Sequence, residues 1–339
     1  MLELHMLFLN FFLFFSITIF LFIKYNQALS FKFRLLDIPN ERKKHKSPTP
    51  LSGGFLFLIL FLESILIISF YKIEEVNLNV ILFSILIFFI GLIDDIKDLN
   101  AKFKLFILTF LILIFLHFQP FFQIDLINSV LISKKINLEY SKVFFTTLCI
   151  LLLINAFNMS DGINGLLIGY AIIAFLYLNQ SYGNQNFNLI IILIILIICF
   201  IFNLLNKFFL GDSGVFLISF LLSIELITSY KSELSNIKEI EEIFLILMIP
   251  GLDMFRLFCY RIINKKNPFK ADNNHLHHIL SNKLSKGYVL IICLSLSFLP
   301  IFIFKIIISN ILIPILIGSV LYCLTIFLFV KKIHFYHEK

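Results

Sequence analysis

The chain has 339 residues, of which 60% are apolar and 14% are charged, with a formal net charge of +7 and a mean hydropathy of +0.98. Soluble globular domains are about half apolar and about a quarter charged, so this composition excludes an ordinary soluble domain. Apolar runs of about 20 residues recur along the whole chain. They predict an all-α polytopic membrane protein.

Eleven apolar runs are predicted to cross the membrane. They cover residues 4–24, 51–71, 79–97, 102–122, 143–158, 163–180, 188–206, 214–230, 243–263, 288–308 and 311–330. The first run is too long for a signal peptide and follows Glu3 with no lysine or arginine, so we expect it to be a spanning helix. The whole chain, 1–339, is expected to form one integral membrane domain.

The distribution of basic residues predicts the orientation. With eleven spans, the two termini lie on opposite sides of the membrane. If the N-terminus is outside, the inside segments contain 21 of the 28 lysine and arginine residues. Because basic residues are enriched in cytoplasmic loops, we expect an external N-terminus and a cytoplasmic C-terminus.

The acidic residues divide differently between the two sides. Glutamates of the predicted outside loops are expected to be ordinary exposed carboxylates; these are Glu74, Glu75, Glu239, Glu241 and Glu242. On the inside, aspartates lie at helix ends, namely Asp94, Asp95, Asp98, Asp161 and Asp212. This pattern predicts an active site at the cytoplasmic face, to which several helices bring carboxylates.

The first inside loop, "DIPNERKKHKSPTPLSGG", covers residues 37–54 and carries His45 among four lysine and arginine residues. Proline and glycine punctuate it. As charge alone, such a loop could simply face anionic lipid headgroups.

The stretch "GLIDDIKDLN", residues 91–100, ends the third predicted span with three aspartates. If the helix continues, Asp98 shares a face with Asp94 and Asp95. Neighbouring buried carboxylates repel, so one of them takes up a proton unless a cation is present. Mg²⁺ suits such a site because it binds through one or two carboxylates and accepts substrate phosphate oxygens. A solvated helix end is the alternative.

The stretch "NAFNMSDGINGL", residues 155–166, places a polar side chain at every third position. These are Asn155, Asn158, Asp161 and Asn164. We expect the helix to break at Gly162 and Gly165, which allow close approach of a ligand to the backbone. A polar pocket and a capped turn between helices are both compatible with these residue types.

In "KFFLGDSGVF", residues 207–216, Asp212 stands at the start of a predicted helix. Free backbone N–H groups and the helix dipole favour phosphate at such a position. An aspartate that caps the helix is the alternative.

In "DNNHLHHIL", residues 272–280, three histidines follow a lysine-rich inside segment. They are His275, His277 and His278. Zn²⁺ is one candidate ligand, but a polyphosphate fits a cluster of histidine and lysine better. A role in membrane topology would explain the lysines and not the histidines.

Together these five motifs resemble the polyprenyl-phosphate N-acetylhexosamine-1-phosphate transferases, the WecA/TagO/MraY family or glycosyltransferase family 4. The resemblance runs in order over about residues 37–280 and includes Lys104-Leu105 after the two aspartates. The H-x-H-H form is similar to the WecA-type branch. Many relatives have a second aspartate where this chain has Asn164, which is a poorer metal ligand.

The resemblance implies transfer of a sugar 1-phosphate from a UDP-sugar to undecaprenyl phosphate, with release of UMP, as the first membrane step of a cell-envelope polysaccharide pathway. It implies Mg²⁺, or Mn²⁺, with Asp212 as the principal ligand and Asp95 near the metal. Asp94 would orient or deprotonate the lipid phosphate, or attack the pyrophosphate in a covalent route. The expected substrate-binding residues are Lys104, Asn155, Asn158, Asp161, Asn164, His275, His277, His278 and His45.

The implied partners are a UDP-sugar, by default UDP-N-acetylglucosamine, undecaprenyl phosphate and the lipid bilayer of the bacterial inner membrane. No nucleic-acid partner is expected, and a homodimer is left open. One alternative is a secondary transporter, for which Glu63 and Glu225, deep in predicted spans, are the suspect residues. Another is a non-catalytic lipid-binding homologue, which the presence of all three catalytic-type aspartates disfavours.

Overall fold

A computed structural model describes residues 2–37, 48–267 and 274–334. These residues form thirteen α-helices: α1 (Leu2–Lys32), α2 (Gly53–Tyr71), α3 (Leu78–Lys97), α4 (Ala101–Phe118), α5 (Lys142–Ser160), α6 (Leu166–Ser181), α7 (Phe187–Leu204), α8 (Gly211–Lys231), α9 (Ile240–Ile246), α10 (Met248–Ile263), α11 (Leu276–Ser281), α12 (Lys286–Ile306) and α13 (Leu312–His334). The predicted all-α fold class is confirmed.

Two short antiparallel hairpins accompany the helices. Strands β1 (Leu36–Asp37) and β2 (Thr49–Pro50) pair with Leu36 opposite Pro50. Strands β3 (Leu126–Ser129) and β4 (Lys134–Asn137) pair with Leu126 opposite Asn137.

Nine helices in the described part of the chain are long and apolar enough to cross a membrane. Each of the eleven predicted spans falls on a helix or on the pair α9 and α10, which is bent by 82°. The shorter apolar helix α6 has 16 residues. The multi-pass architecture is confirmed, and the count of eleven stays a prediction.

The bend between α9 and α10 has a cause in the sequence. Pro250 lies in the first turn of α10. It has no N–H to donate to the carbonyl of Ile246, which a single continuous helix would require. A proline is tolerated in a first turn, so α10 starts afresh at Met248.

The chain divides into two compact units, and helix α8 is shared between them. Unit 1 consists of the described residues up to Phe121 and of Asn186–Leu221. Its core contains fully buried aromatic side chains, among which Phe115 and Phe220 meet edge to face at 5.3 Å. A Cβ atom on Gly91 of α3 would lie 2.5 Å from the backbone of Ser213. This close approach brings the end of α3 to the start of α8.

Unit 2 consists of Phe122–Gln185 and of the described residues from Leu222 onward. Within it, α10 packs against α5, and α12 packs against both α6 and α13. A Cβ atom on Gly169 of α6 would lie 2.6 Å from the side chain of Leu294 in α12, so these helices are closely packed.

Only Glu75 of the five outside glutamates is exposed as predicted; Glu74 and Glu239 are half-buried, and the other two are buried. Glu241 and Glu242 are 7% and 5% exposed. Glu241 accepts hydrogen bonds from the Ser129 hydroxyl, at 2.5 Å, and from the Leu131 amide, at 3.1 Å. Glu242 accepts one from the Tyr177 hydroxyl at 2.6 Å. Their expected exposure is wrong because these partners satisfy the carboxylates inside the fold.

Candidate active site

Asp98 does not share a face with the other two aspartates of its motif. Helix α3 ends at Lys97, and Asp98 follows in the left-handed conformation with φ 49°. Its N–H donates to the Asp94 carbonyl at 2.8 Å, and its side chain is exposed. Because the helix stops one residue early, the expected three-carboxylate face is reduced to Asp94 and Asp95.

Asp94 is buried against the start of α4, with 2% of its side chain exposed. One carboxylate oxygen accepts the Leu99 N–H at 2.8 Å, and the other contacts the Lys104 ammonium. The Asn100 side chain caps α4 by accepting the Lys102 N–H at 3.0 Å. The cap fixes where α4 begins and therefore places Lys104 one turn into the helix.

Lys104 also contacts the second acidic motif of the sequence. Its Nζ lies 3.4 Å from the Oδ2 atom of Asp212, whose side chain is 30% exposed. Residues from α3, α4 and α8 thus form one cluster inside unit 1.

Asp95 caps helix α8. Its Oδ1 accepts the Asp212 N–H at 2.7 Å, and its Oδ2 accepts the Ser213 N–H at 3.1 Å. These are the amides that the sequence predicted to be free for phosphate. That expectation is wrong because a carboxylate from α3 already satisfies them and the helix dipole.

The charges of this cluster fit a divalent cation. Two carboxylates, Asp94 and Asp212, contact one ammonium group, and Asp95 contacts backbone amides, so the ionised side chains of the cluster have more negative than positive charge. Carboxylates this close repel unless they take up a proton or a cation. Mg²⁺ needs only one or two carboxylates. Asp212 is partly exposed, and each oxygen of Asp95 keeps a second lone pair.

Among the residues that the structure describes, no group of three or more His, Cys, Asp or Glu side chains is arranged to hold a metal. Mg²⁺ on Asp212, with Asp95 near the metal, stays a prediction.

The asparagine-rich motif forms the turn between α5 and α6, as the glycines predicted. Helix α5 ends at Ser160, and α6 begins after Gly165, which has φ 83°. The Asn155 side chain donates to the Leu151 carbonyl at 2.8 Å. Asn158 and Asn164 are half-buried, and Asp161 is exposed.

The three histidines lie in the same unit as this turn. Their ring centroids are 4.2 to 6.2 Å apart. His275 and His277 are buried, and His278 is half-buried. A Cβ atom on Gly162 would lie 1.9 Å from Nε2 of His277, so the turn after α5 covers this imidazole directly.

The surroundings of His277 determine its charge in the structure, where no phosphate is bound. Burial, and to a smaller extent the neighbouring imidazoles of His278 and His275, lower the pKa of His277 to about 3. Its Nε2 atom is buried without a hydrogen-bond partner. His277 is therefore neutral at physiological pH.

Sequence reasoning missed Asp253, the carboxylate that holds the histidine segment. It accepts the His275 Nδ1–H at 2.9 Å, the Arg256 guanidinium at 2.8 Å and the Tyr322 hydroxyl at 2.9 Å. The sequence did contain a feature that could have identified Asp253. Asp253 and Arg256 lie inside an apolar run, and ionisable residues in a predicted span are candidates for a functional role.

The predicted site residues thus fall into two groups. Unit 1 contains Asp94, Asp95, Lys104 and Asp212. Unit 2 contains Asn155, Asn158, Asp161, Asn164, His275, His277 and His278. His45 lies outside the described residues.

Comparison with known proteins finds similarity in both units. The family model for glycosyl transferase family 4 matches residues 77–230. The undecaprenyl-phosphate alpha-N-acetylglucosaminyl 1-phosphate transferase of Thermotoga maritima is 30% identical over 270 residues, which are 78% of this chain and 79% of the relative. The enzyme of that name from Escherichia coli K12 is 28% identical over 273 residues, with 78% and 73% coverage. The one from Salmonella typhi is 27% identical over 275 residues, with the same coverage. With its carboxylate cluster, its polar turn and its histidine segment in the expected order, the chain belongs to glycosyl transferase family 4.

Proposed function

We propose that this protein transfers an N-acetylhexosamine 1-phosphate from a UDP-sugar to undecaprenyl phosphate and releases UMP. The observation that carries the proposal is the cluster of Asp94, Asp95, Asp212 and Lys104 at helix ends of unit 1. UDP-N-acetylglucosamine is the first donor to test, because the relatives' names specify an N-acetylglucosaminyl group.

In this reaction an oxygen of the lipid phosphate attacks the sugar-bearing phosphorus, and the bond to the UMP phosphate breaks. A phosphate monoester has a second pKa of about 6, so the acceptor is already largely deprotonated at neutral pH. A general base therefore adds little, and positioning of the phosphates contributes more.

Lys104 is placed to bind a phosphate oxygen. Its ammonium is partly exposed and lies between the Asp94 and Asp212 carboxylates. Asp94 is almost fully buried, with contacts to both of its oxygens, which fits a residue that orients Lys104 better than one that attacks phosphorus. We therefore propose direct attack by the lipid phosphate.

Asp212 and Asp95 would hold the Mg²⁺, for which Mn²⁺ is a substitute, and the bound ion would neutralise charge that develops on the phosphates. The asparagine-rich turn and the histidine segment would bind the nucleotide sugar, with His45 as a further candidate. The site would lie at the cytoplasmic face of a bacterial inner membrane.

The reaction can be tested on membranes that contain the full-length protein. They are incubated with undecaprenyl phosphate and each of a panel of UDP-sugars, and UMP release is followed. We expect release that stops with EDTA and returns with Mg²⁺ or Mn²⁺. Full activity in the chelator would contradict the metal assignment, and no UMP release with any donor would contradict the function.

A further inference from the structure

The carboxylate of Asp253, in α10, accepts hydrogen bonds from more donors than an exposed carboxylate needs. Besides His275, Arg256 and Tyr322, it accepts the Leu276 N–H with both oxygens, at 3.1 and 3.2 Å. It is buried, and all of its donors except Arg256 come from outside α10. The carboxylate therefore joins α10 to the residues that precede and begin α11.

Arg256, one turn later on α10, holds the same segment from its other end. Its guanidinium donates to the Asn274 carbonyl at 2.6 Å, and its Nε donates to the Tyr322 hydroxyl at 2.8 Å. Residues 274–276 are thus held at the backbone on both sides of His275. The His275 ring has its own link to the carboxylate, at Nδ1.

A carboxylate at Nδ1 determines which ring nitrogen carries the proton. The nitrogen that faces a carboxylate is the protonated one, and the other nitrogen is left for a ligand. In metal and acyl-transfer sites, a carboxylate in this position orients the histidine for its reaction.

We propose that Asp253 is a positioning residue for the nucleotide sugar, which acts by fixing His275 with its Nδ1–H toward the carboxylate and its Nε2 available to the donor substrate. This inference rests on the proposed function, because it names how one donor-binding side chain is oriented. It assigns Asp253 no contact with the substrate itself.

The variant Asp253→Asn tests the proposal. If the NH₂ of the new amide points at His275, it donates to Nδ1 and favours the tautomer that is protonated at Nε2 instead. If it points the other way, it opposes the donors of Arg256 and Tyr322. Either orientation disturbs the arrangement that Asp253 holds. We expect the KM for UDP-N-acetylglucosamine to rise about tenfold to a hundredfold. The KM for undecaprenyl phosphate should change less than about twofold.

Tyr322→Phe is the matched control. It removes one hydrogen bond to the same carboxylate and leaves the Asp253–His275 link in place. Both variants should lower the thermal unfolding midpoint of the detergent-solubilised protein, but only Asp253→Asn should raise the donor KM strongly. Equal donor KM values in the two variants would show that Asp253 is merely structural and would overturn the proposal.

A double-mutant cycle with His275→Asn tests whether Asp253 acts through the imidazole. In the His275→Asn background, Asp253→Asn should change the donor KM less than about twofold. Independent effects of the two substitutions would overturn the proposal. If Asp253→Asn does not accumulate in membranes, the cycle is run with Asp253→Glu, which keeps the charge but shifts the oxygens by one methylene.

Calorimetric titration of the purified full-length protein with UDP-N-acetylglucosamine separates this inference from the proposed function. Wild-type protein that neither binds the nucleotide sugar nor releases UMP would overturn both. Wild-type protein that is active, with unchanged donor binding in Asp253→Asn, would overturn the inference alone.

Discussion

Gly162 has no side chain at a point where any side chain would collide with an imidazole. We expect Gly162→Ala to force His277 from its place, because the added Cβ would lie 1.9 Å from Nε2. His277 is 3% exposed, so its ring has little room to move. Overpacking of this kind costs about 1–3 kcal/mol. The thermal unfolding midpoint and the donor KM measure the effect.

Gly287→Ala is the control for this substitution. Gly287 lies in α12 of the same unit, and nothing lies within 4 Å of an added Cβ. Alanine in a helix is about 0.5–1 kcal/mol more favourable than glycine, so this variant should be as stable as the wild type or more so. Identical behaviour of the two alanine variants would contradict the contact between Gly162 and His277.

The buried imidazole of His277 should make the fold sensitive to acid. Its pKa is about 3 in the folded protein, and an imidazole in an unfolded chain titrates near 6.5. Between these values the unfolded state binds more protons than the folded state. Protonation of His277 therefore leaves the free energy of unfolding unchanged above about pH 6.5 and lowers it as the pH falls below that value. By pH 5 the loss is on the order of 2 kcal/mol.

His277→Gln removes this titration and leaves the other groups in place. Unfolding midpoints of the wild type and the variant are compared between pH 7.5 and 5. We expect the wild type to lose more stability than the variant across this range. Parallel curves would mean that His277 is not neutral and buried.

At the scale of the elements, two carboxylates with different surroundings lie at the start of α8. Asp95 of α3 caps the helix, and Asp212 of α8 is partly exposed. Asp95 accepts two amides of α8, whereas Asp212 contacts only side chains of the cluster in the described hydrogen bonds of its carboxylate. Asp95→Ala should lower the unfolding midpoint, because losing a helix cap costs about 1 kcal/mol. Asp212→Asn should keep or raise the midpoint, because it removes an uncompensated charge.

The rate of UMP release is the second measurement on these variants. Loss of the principal Mg²⁺ ligand removes several kcal/mol of transition-state stabilisation, so Asp212→Asn should lose on the order of a thousandfold in rate. An active Asp212→Asn enzyme would contradict the metal assignment. An unchanged midpoint for Asp95→Ala would contradict its role as the cap of α8.

The long helices of the described part of the chain could be predicted because each is an apolar run long enough to span a bilayer. The break between α5 and α6 was also readable, since Gly162 and Gly165 interrupt the run. The burial of Glu241 and the link between Asp253 and His275 could not be read, because both depend on partners more than 20 residues away in the chain. Propensity and spacing report local structure, whereas the satisfaction of a buried carboxylate is decided by tertiary contacts.

At the scale of the whole molecule, the chain was expected to form one domain. It divides into two compact units, and each contains part of the predicted site. The order of the motifs along the chain identified the family, but it did not reveal that Asp94 and Asp212 share one unit and the histidines another. The positive-inside asymmetry concerns the entire chain and is independent of this division. It leads to the prediction that distinguishes an enzyme of the cytoplasmic face from other membrane proteins.

Cysteine labelling in intact cells tests that orientation. Tyr140 and Glu233, both exposed, should react as cysteines with a membrane-impermeant maleimide from outside. Lys207 and Lys266, also exposed, should react only after the membrane is permeabilised, because basic inside loops are retained in the cytoplasm. The cysteine at Lys266 follows α10 and reports on the side from which the histidine segment is reached. If this position is labelled from outside, a cytoplasmic UDP-sugar cannot reach His275, and the transferase proposal fails whatever the carboxylate cluster binds.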